Sequence, residues 1–219
     1  MFLEKLQGTA PLLITVPHDG GVHVFGRPIR SRSAARDIGT LPLALRCYDR
    51  LLDLGIRPTL IWTTLHRSHA DMNRGPESAE PFAEGFKDVH DGFHASVDQS
   101  VATMLALHGT AVHLDVHGTK LPEGIDCVLG TNAHATSLRG MDKVFASALR
   151  QNYTVEFSPG GRHNFEGRFA GGWIVRRSAA VWGAQGLDAI QIEIARHLRE
   201  PEFTDELAGN IAAALALAI

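Results

Sequence analysis

Three apolar, β-branched runs in this chain each stop at a side chain able to hold a metal or move a proton. Leu12-Leu13-Ile14-Thr15-Val16-Pro17 ends at His18, Ala111-Val112-His113-Leu114-Asp115-Val116 at His117, and Ala189-Ile190-Gln191-Ile192 at Glu193. Each run reads as a buried strand. In open α/β sheets, ligands sit just beyond the carboxyl ends of such strands. Two histidines and a glutamate meeting there point to a hydrolytic metal site.

Strand and helix patterns alternate along the chain, which predicts an α/β fold: a three-layer sandwich with a mixed, largely parallel central sheet flanked by helices. Leu41, Leu45, Tyr48 and Leu52 recur at helical spacing, and Gly55 suits the position that closes that helix. Thr59 to Thr64 reads as a second strand, and residues 67–87 as a polar, turn-rich loop. Phe93, Val97, Val101, Met104 and Leu105 mark an amphipathic helix ending near Gly109. Strands are expected at 111–116, 126–129, 153–157 and 188–194, with helices around 141–151 and, through Phe203, Leu207, Ile211 and Leu215, at the end. No repeat or linker divides the 219 residues, so one domain spanning 1–219 is expected.

A formal charge of −3 gives no basic field for nucleic acid. The cluster Arg27, Arg30, Arg32 and Arg36 reads as a solvated loop. Cys47 and Cys127 lack any metal-binding or disulfide-framework spacing and read as buried thiols. There is no signal-peptide pattern at the N-terminus and no membrane-spanning run, so a cytoplasmic protein without membrane partners is expected. GxSxG, HExxH and Walker-type phosphate loops are all missing from the sequence, which leaves serine-nucleophile and nucleotide chemistry without support.

Hydrolytic zinc sites commonly take three ligands from His, Asp and Glu and keep a position for water. His18 and His117 supply two. The third should be a carboxylate or a histidine, and Asp37 is the choice; its other reading is a charge complementing the dipole of the helix that follows. Asp19 is the weaker candidate, because adjacent residues point apart. Asp115 lies two residues before His117 on one strand, hence on the same face, and could support a ligand from behind. Glu193 fits a general base toward water, or else a structural partner for Arg196. In Arg67-Ser68-His69-Ala70-Asp71-Met72-Asn73-Arg74, two arginines and an asparagine can grip a substrate carboxylate and polarise a carbonyl, with Asp71 as internal partner. Gly160 to Arg168 reads as a loop that either covers the site, with Arg168 binding a second carboxylate, or is only a turn.

These residues, in this order, resemble the zinc carboxypeptidase and aspartoacylase superfamily, and more closely the N-formylglutamate amidohydrolase family. The resemblance is carried by Pro17-His18-Asp19-Gly20, Asp37, Asp71-x-Asn73-Arg74, Asp115-x-His117, Gly167-Arg168-Phe169-Ala170-Gly171-Gly172-Trp173-Ile174 and Gln191-Ile192-Glu193-Ile194-Ala195. It implies that His18 and His117 are zinc ligands, Glu193 the catalytic glutamate, Asn73 and Arg74 the carboxylate-binding pair, and Arg67 the oxyanion stabiliser. The superfamily places a ligand glutamate three residues after its first histidine; here that position is Gly21, and Asp37 takes its place. The expectation is a zinc-dependent amidohydrolase acting on a small N-acyl amino acid such as N-formylglutamate. A small zinc carboxypeptidase and an inactive metal-binding homologue are the alternatives.

Overall fold

The structure, a computed structural model, describes residues 2–30, 35–163, 165, 166 and 168–219; Arg32, Asn164 and Gly167 lie outside the described residues. Among those described, seven strands form one sheet: β1 (Leu3–Leu6), β2 (Leu12–Val16), β3 (Thr59–Thr63), β4 (Ala111–Thr119), β5 (Cys127–Gly130), β6 (Val155–Ser158) and β7 (Leu187–Ala195). Their spatial order is β1-β3-β2-β4-β7-β5-β6. The central strands β3, β2, β4 and β7 are parallel, β1 pairs antiparallel with β3, and β5 runs antiparallel to β7 but parallel to β6. The helices are α1 (Thr40–Asp53), α2 (Lys87–His108), α3 (Met141–Leu149), α4 (Trp173–Trp182) and α5 (Pro201–Ala218). Residues of α1, α3 and α5 share one core cluster with the sheet, and those of α2 and α4 share the other. The expected mixed α/β sandwich is what forms.

Strand alternation places the chemistry. On β4, Val112, Leu114 and Val116 join the α1/α3/α5 core, as do Ile190, Ile192 and Ile194 on β7. The intervening residues, His113, Asp115 and His117 on β4 with Gln191 and Glu193 on β7, therefore project from the opposite face. That face is apolar at the amino ends of the strands, where Leu13, Ala111, Leu187 and Ala189 meet α2 and α4. It turns polar toward the carboxyl ends. The register sets Asp115 beside Gln191 and His117 beside Glu193.

Gly55 and Gly109, at φ 76° and 75°, close α1 and α2 as the sequence predicts; left-handed backbone favours a residue without Cβ. Cys47 and Cys127 are free and buried. Two elements escape sequence reading. Strand β1, three half-buried residues and the exposed Glu4, is an edge strand held by pairing with β3. Helix α4 buries only Ile174, Val175 and Ser178, too narrow a stripe to show as helical periodicity. Tertiary contacts hold it: Arg177 makes two hydrogen bonds to Asp98 of α2, one at 2.7 Å. No helix among the described residues is long and apolar enough to cross a membrane.

Candidate active site

His18 lies two residues past the end of β2, where its backbone carbonyl accepts a 3.1 Å hydrogen bond from the Asp37 N–H. That bond folds the loop before α1 back over the sheet and delivers the Asp37 carboxylate to the two histidines. Asp37 Oδ2 stands 3.4 Å from His18 Nδ1 and 3.1 Å from His117 Nδ1. One ligand atom from each residue can be chosen so that all three lie within 4.8 Å of one another. All three residues are buried, and His18 Nδ1 has no hydrogen-bond partner.

This set fits a cation. Bonds of about 2.0–2.1 Å in a tetrahedron put neighbouring ligand atoms roughly 3.3 Å apart, which the two contacts to Asp37 Oδ2 bracket. The far nitrogens are already committed, as metal-binding histidines require. His18 Nε2 bonds Asp71 Oδ1 at 2.7 Å and His117 Nε2 bonds Asp115 Oδ2 at 2.8 Å. Each carboxylate thereby fixes the tautomer that aims Nδ1 at the centre.

Asp115 is fully buried, and a charge there is tolerable only with partners. Besides His117 it accepts a 2.6 Å bond from the Thr15 hydroxyl, which stands 2.9 Å from His113 Nε2. The hydroxyl proton goes to Asp115, so His113 must donate from Nε2.

Electrostatics follow from crowding these groups together. Burial pushes Asp37 up, but the hydrogen bond from His117 and the charge of His117 and His18 outweigh it and hold the carboxyl well below the usual range. Burial likewise opposes the charge on His117, yet Asp115 and Asp37 raise its pKa well above the ordinary imidazole value. Glu193 behaves otherwise: desolvation dominates and lifts its carboxyl to about 7, despite the nearby charge of His117. Gln191 Nε2 donates to Glu193 Oε1 at 2.9 Å, and Gln191 Oε1 accepts from the Gly172 N–H. Arg196 pairs with Glu200, so its pairing with Glu193 does not occur.

Asp71 is a hub. Its Oδ2 takes Arg67 Nη2 at 2.8 Å, Arg30 Nη1 at 3.2 Å and Arg74 Nε at 3.3 Å. Arg30 is buried, which corrects the reading of the 27–36 arginines as a solvated loop; Arg36 is engaged too, donating to Asp19. Asp19 in turn caps α1, its Oδ2 accepting from Gly39 N and Leu41 N. The dipole role considered for Asp37 thus falls to Asp19, and Asp37 is free to face the histidines. At Gly21, a Cβ would lie 2.9 Å from Arg36 Nη1. A side chain at this position would have to displace that guanidinium from Asp19.

Beside the histidines opens a cavity of about 630 Å³ whose lining includes Arg67, Asn73, Arg74, Arg168, Arg176 and Glu193. Asn73 Oδ1 accepts from Ile174 N at 3.0 Å, and its Nδ2 lies 3.2 Å from His117 Nε2. Arg168 reaches the cavity with its guanidinium over the Phe169 ring. Arg30, Arg176, Trp173 and Gln191 were given no site role from the sequence. For Gln191 a signal existed, since it sits two residues before Glu193 on the same face; the others depend on α4 and on loop folding.

The family model described as N-formylglutamate amidohydrolase matches residues 78–199. The chain belongs to the N-formylglutamate amidohydrolase family. As a member it is a hydrolase acting on C–N bonds. Among solved structures, an N-formylglutamate amidohydrolase from Ralstonia eutropha JMP134 superposes with a TM-score of 0.73 at 18% identity, over 99% of this chain and 97% of that one. A gene product from Agrobacterium tumefaciens gives 0.71 at 16%, over 99% and 94%. A metallo-carboxypeptidase from Burkholderia cenocepacia gives 0.51 at 14%, over 99% of this chain and 60% of the other. At such identities these likenesses establish the shared fold. No curated protein matches by sequence.

Proposed function

We propose that this amidohydrolase cleaves the amide bond of an N-acyl amino acid, N-formylglutamate being the leading candidate, and that it uses zinc. The observation that carries this reading is the His18–Asp37–His117 set, with Asp71 and Asp115 behind the histidines and Glu193 beside His117 in strand register. Those three residues would hold the ion, which when bound supplies Lewis-acid activation of water and of the scissile carbonyl.

The chain's own groups do the rest. Glu193, buried and held near neutrality at about 7, takes a proton from the attacking water and returns it to the departing amine. Arg67 presents a guanidinium to the carbonyl oxygen as negative charge develops there, a contribution typically worth on the order of 10²–10³ in rate per donor. The Asn73 amide and the Arg74 guanidinium bind the substrate carboxylate and so orient the amide; Arg168 receives a second carboxylate. Asp71 and Asp115 hold His18 and His117 in place.

The test is metal quantification on purified protein, then parallel assays with N-formyl-L-glutamate, other N-acyl amino acids and short peptides. Stoichiometric zinc and chelator-sensitive release of formate are expected. Turnover indifferent to chelation would sink the metal reading, and release of C-terminal residues from peptides would make the enzyme a small carboxypeptidase.

A further inference from the structure

Of the buried histidines outside the metal set, two share one helix face. His90 and His94 lie one turn apart on α2, at 2% and 5% exposure, so both rings emerge on one helix face. That face abuts the segment that presents Asn73 and Arg74. His90 Nε2 donates to the Arg74 carbonyl at 2.9 Å, and the His94 ring packs edge-on to the His90 ring at 4.6 Å between centroids. The main chain just after the two residues is therefore anchored to a rigid helix through the Arg74 carbonyl. Trp173 closes the other side, its ring edge-on to His94 at 4.4 Å between centroids. A Cβ at Gly75 would sit 2.2 Å from Trp173 Nε1, so the segment and the indole are in close contact.

A loop carrying two substrate-binding side chains needs such anchoring, because displacement of about 1 Å in a positioning group can cost on the order of 10²-fold in rate. We infer that His90, with His94 packed between it and Trp173, is a positioning residue that fixes the main chain at Arg74, so that Asn73 and Arg74 present their donors to a substrate carboxylate. Neither residue lines the cavity; His90 acts through the Arg74 carbonyl. The inference rests on the reading of Asn73 and Arg74 as the carboxylate grip.

The metal-loaded protein is titrated calorimetrically with L-glutamate and with its α-carboxamide, for wild type, Arg74→Ala, His90→Phe and His90→Gln. His90→Phe keeps a ring but loses the donor; His90→Gln restores an N–H. Loss of a hydrogen bond to a charged group supports an expected weakening of glutamate binding on the order of tenfold in His90→Phe. Carboxamide binding and metal content should stay near wild type, and His90→Gln should recover most of the loss. If His90→Phe does not fold, His90→Leu serves as the second donor-deleting variant, with the same ligand-selective loss expected. Unchanged glutamate affinity, or equal loss for both ligands, overturns the inference while leaving the grip intact. If Arg74→Ala keeps the full preference for carboxylate over carboxamide, the grip reading itself fails, and this inference with it.

Discussion

His18 and Asp71 are joined by a 2.7 Å hydrogen bond, and the same carboxylate gathers Arg30, Arg67 and Arg74. One aspartate thus couples the candidate metal centre to the candidate substrate grip. It orients the imidazole through one oxygen and the guanidinium groups through the other.

Asp71→Asn is expected to weaken zinc binding by about 10–100-fold, the usual cost of losing a carboxylate behind a ligating histidine. The variant should also lose stability, because Arg30 is buried and would forfeit its charged partner. Competition with a chelator of known affinity measures the first effect, and urea denaturation the second.

Glu193→Gln keeps the shape and the Gln191 neighbour but cannot carry a proton. A fall in kcat of about 10²–10⁴ is expected, with zinc content unchanged. Near-native turnover by zinc-loaded Glu193→Gln would falsify the assignment of Glu193 as the base.

Metal binding should release protons. His117 has a pKa raised well above its ordinary value and Glu193 one raised to about 7, so in the metal-free protein both carry protons over at least part of the neutral range. A cation competes with the His117 proton and favours ionised Glu193, so affinity should rise with pH through this window. Calorimetry in buffers of differing ionisation enthalpy reports the proton count. A buffer-independent binding enthalpy at pH 7 contradicts the expectation.

Gly172→Ala tests the grip from a position with no left-handed backbone to disturb, since its φ is −74°. A Cβ there would fall 2.1 Å from Asn73 Nδ2 and must push the amide away. Losing a donor to a substrate carboxylate predicts a KM increase of roughly 10–100-fold. Zinc content should not change.

His113 is fully buried, and desolvation lowers its pKa from 6.5 to about 4. The unfolded chain therefore binds a proton at this site between pH 6.5 and 4 when the folded protein does not. Stability is unaffected above the unfolded value and falls as pH drops through this window, by about 3 kcal/mol once both states are protonated. The slope of unfolding free energy against pH between 4 and 6 should flatten in His113→Gln. An unchanged slope removes His113 from the acid response.

The three strand-end side chains were legible because the β-branched runs of β2, β4 and β7 are long, buried and bounded by polar residues. Period-two alternation then fixes which side chains share a face, so Asp115 with His117 and Gln191 with Glu193 follow from spacing alone. Gly55 and Gly109 marked helix ends for the same local reason: backbone conformation is a property of the residue and its neighbours. Strand β1 and helix α4 left no such mark, since each is held by contacts with distant segments.

The sequence favoured Asp37 over Asp19 for the histidines, but it held no record of what turns that side chain toward them. Asp19 and Asp37 are both acidic residues between β2 and α1. Only the folded loop, pinned by the Asp37 N–H on the His18 carbonyl, turns one to the helix end and the other to the imidazoles. Arg30 passed for a solvated charge until the fold buried it beside Asp71. Contacts across tens of residues set those outcomes, and local patterns carry no record of them.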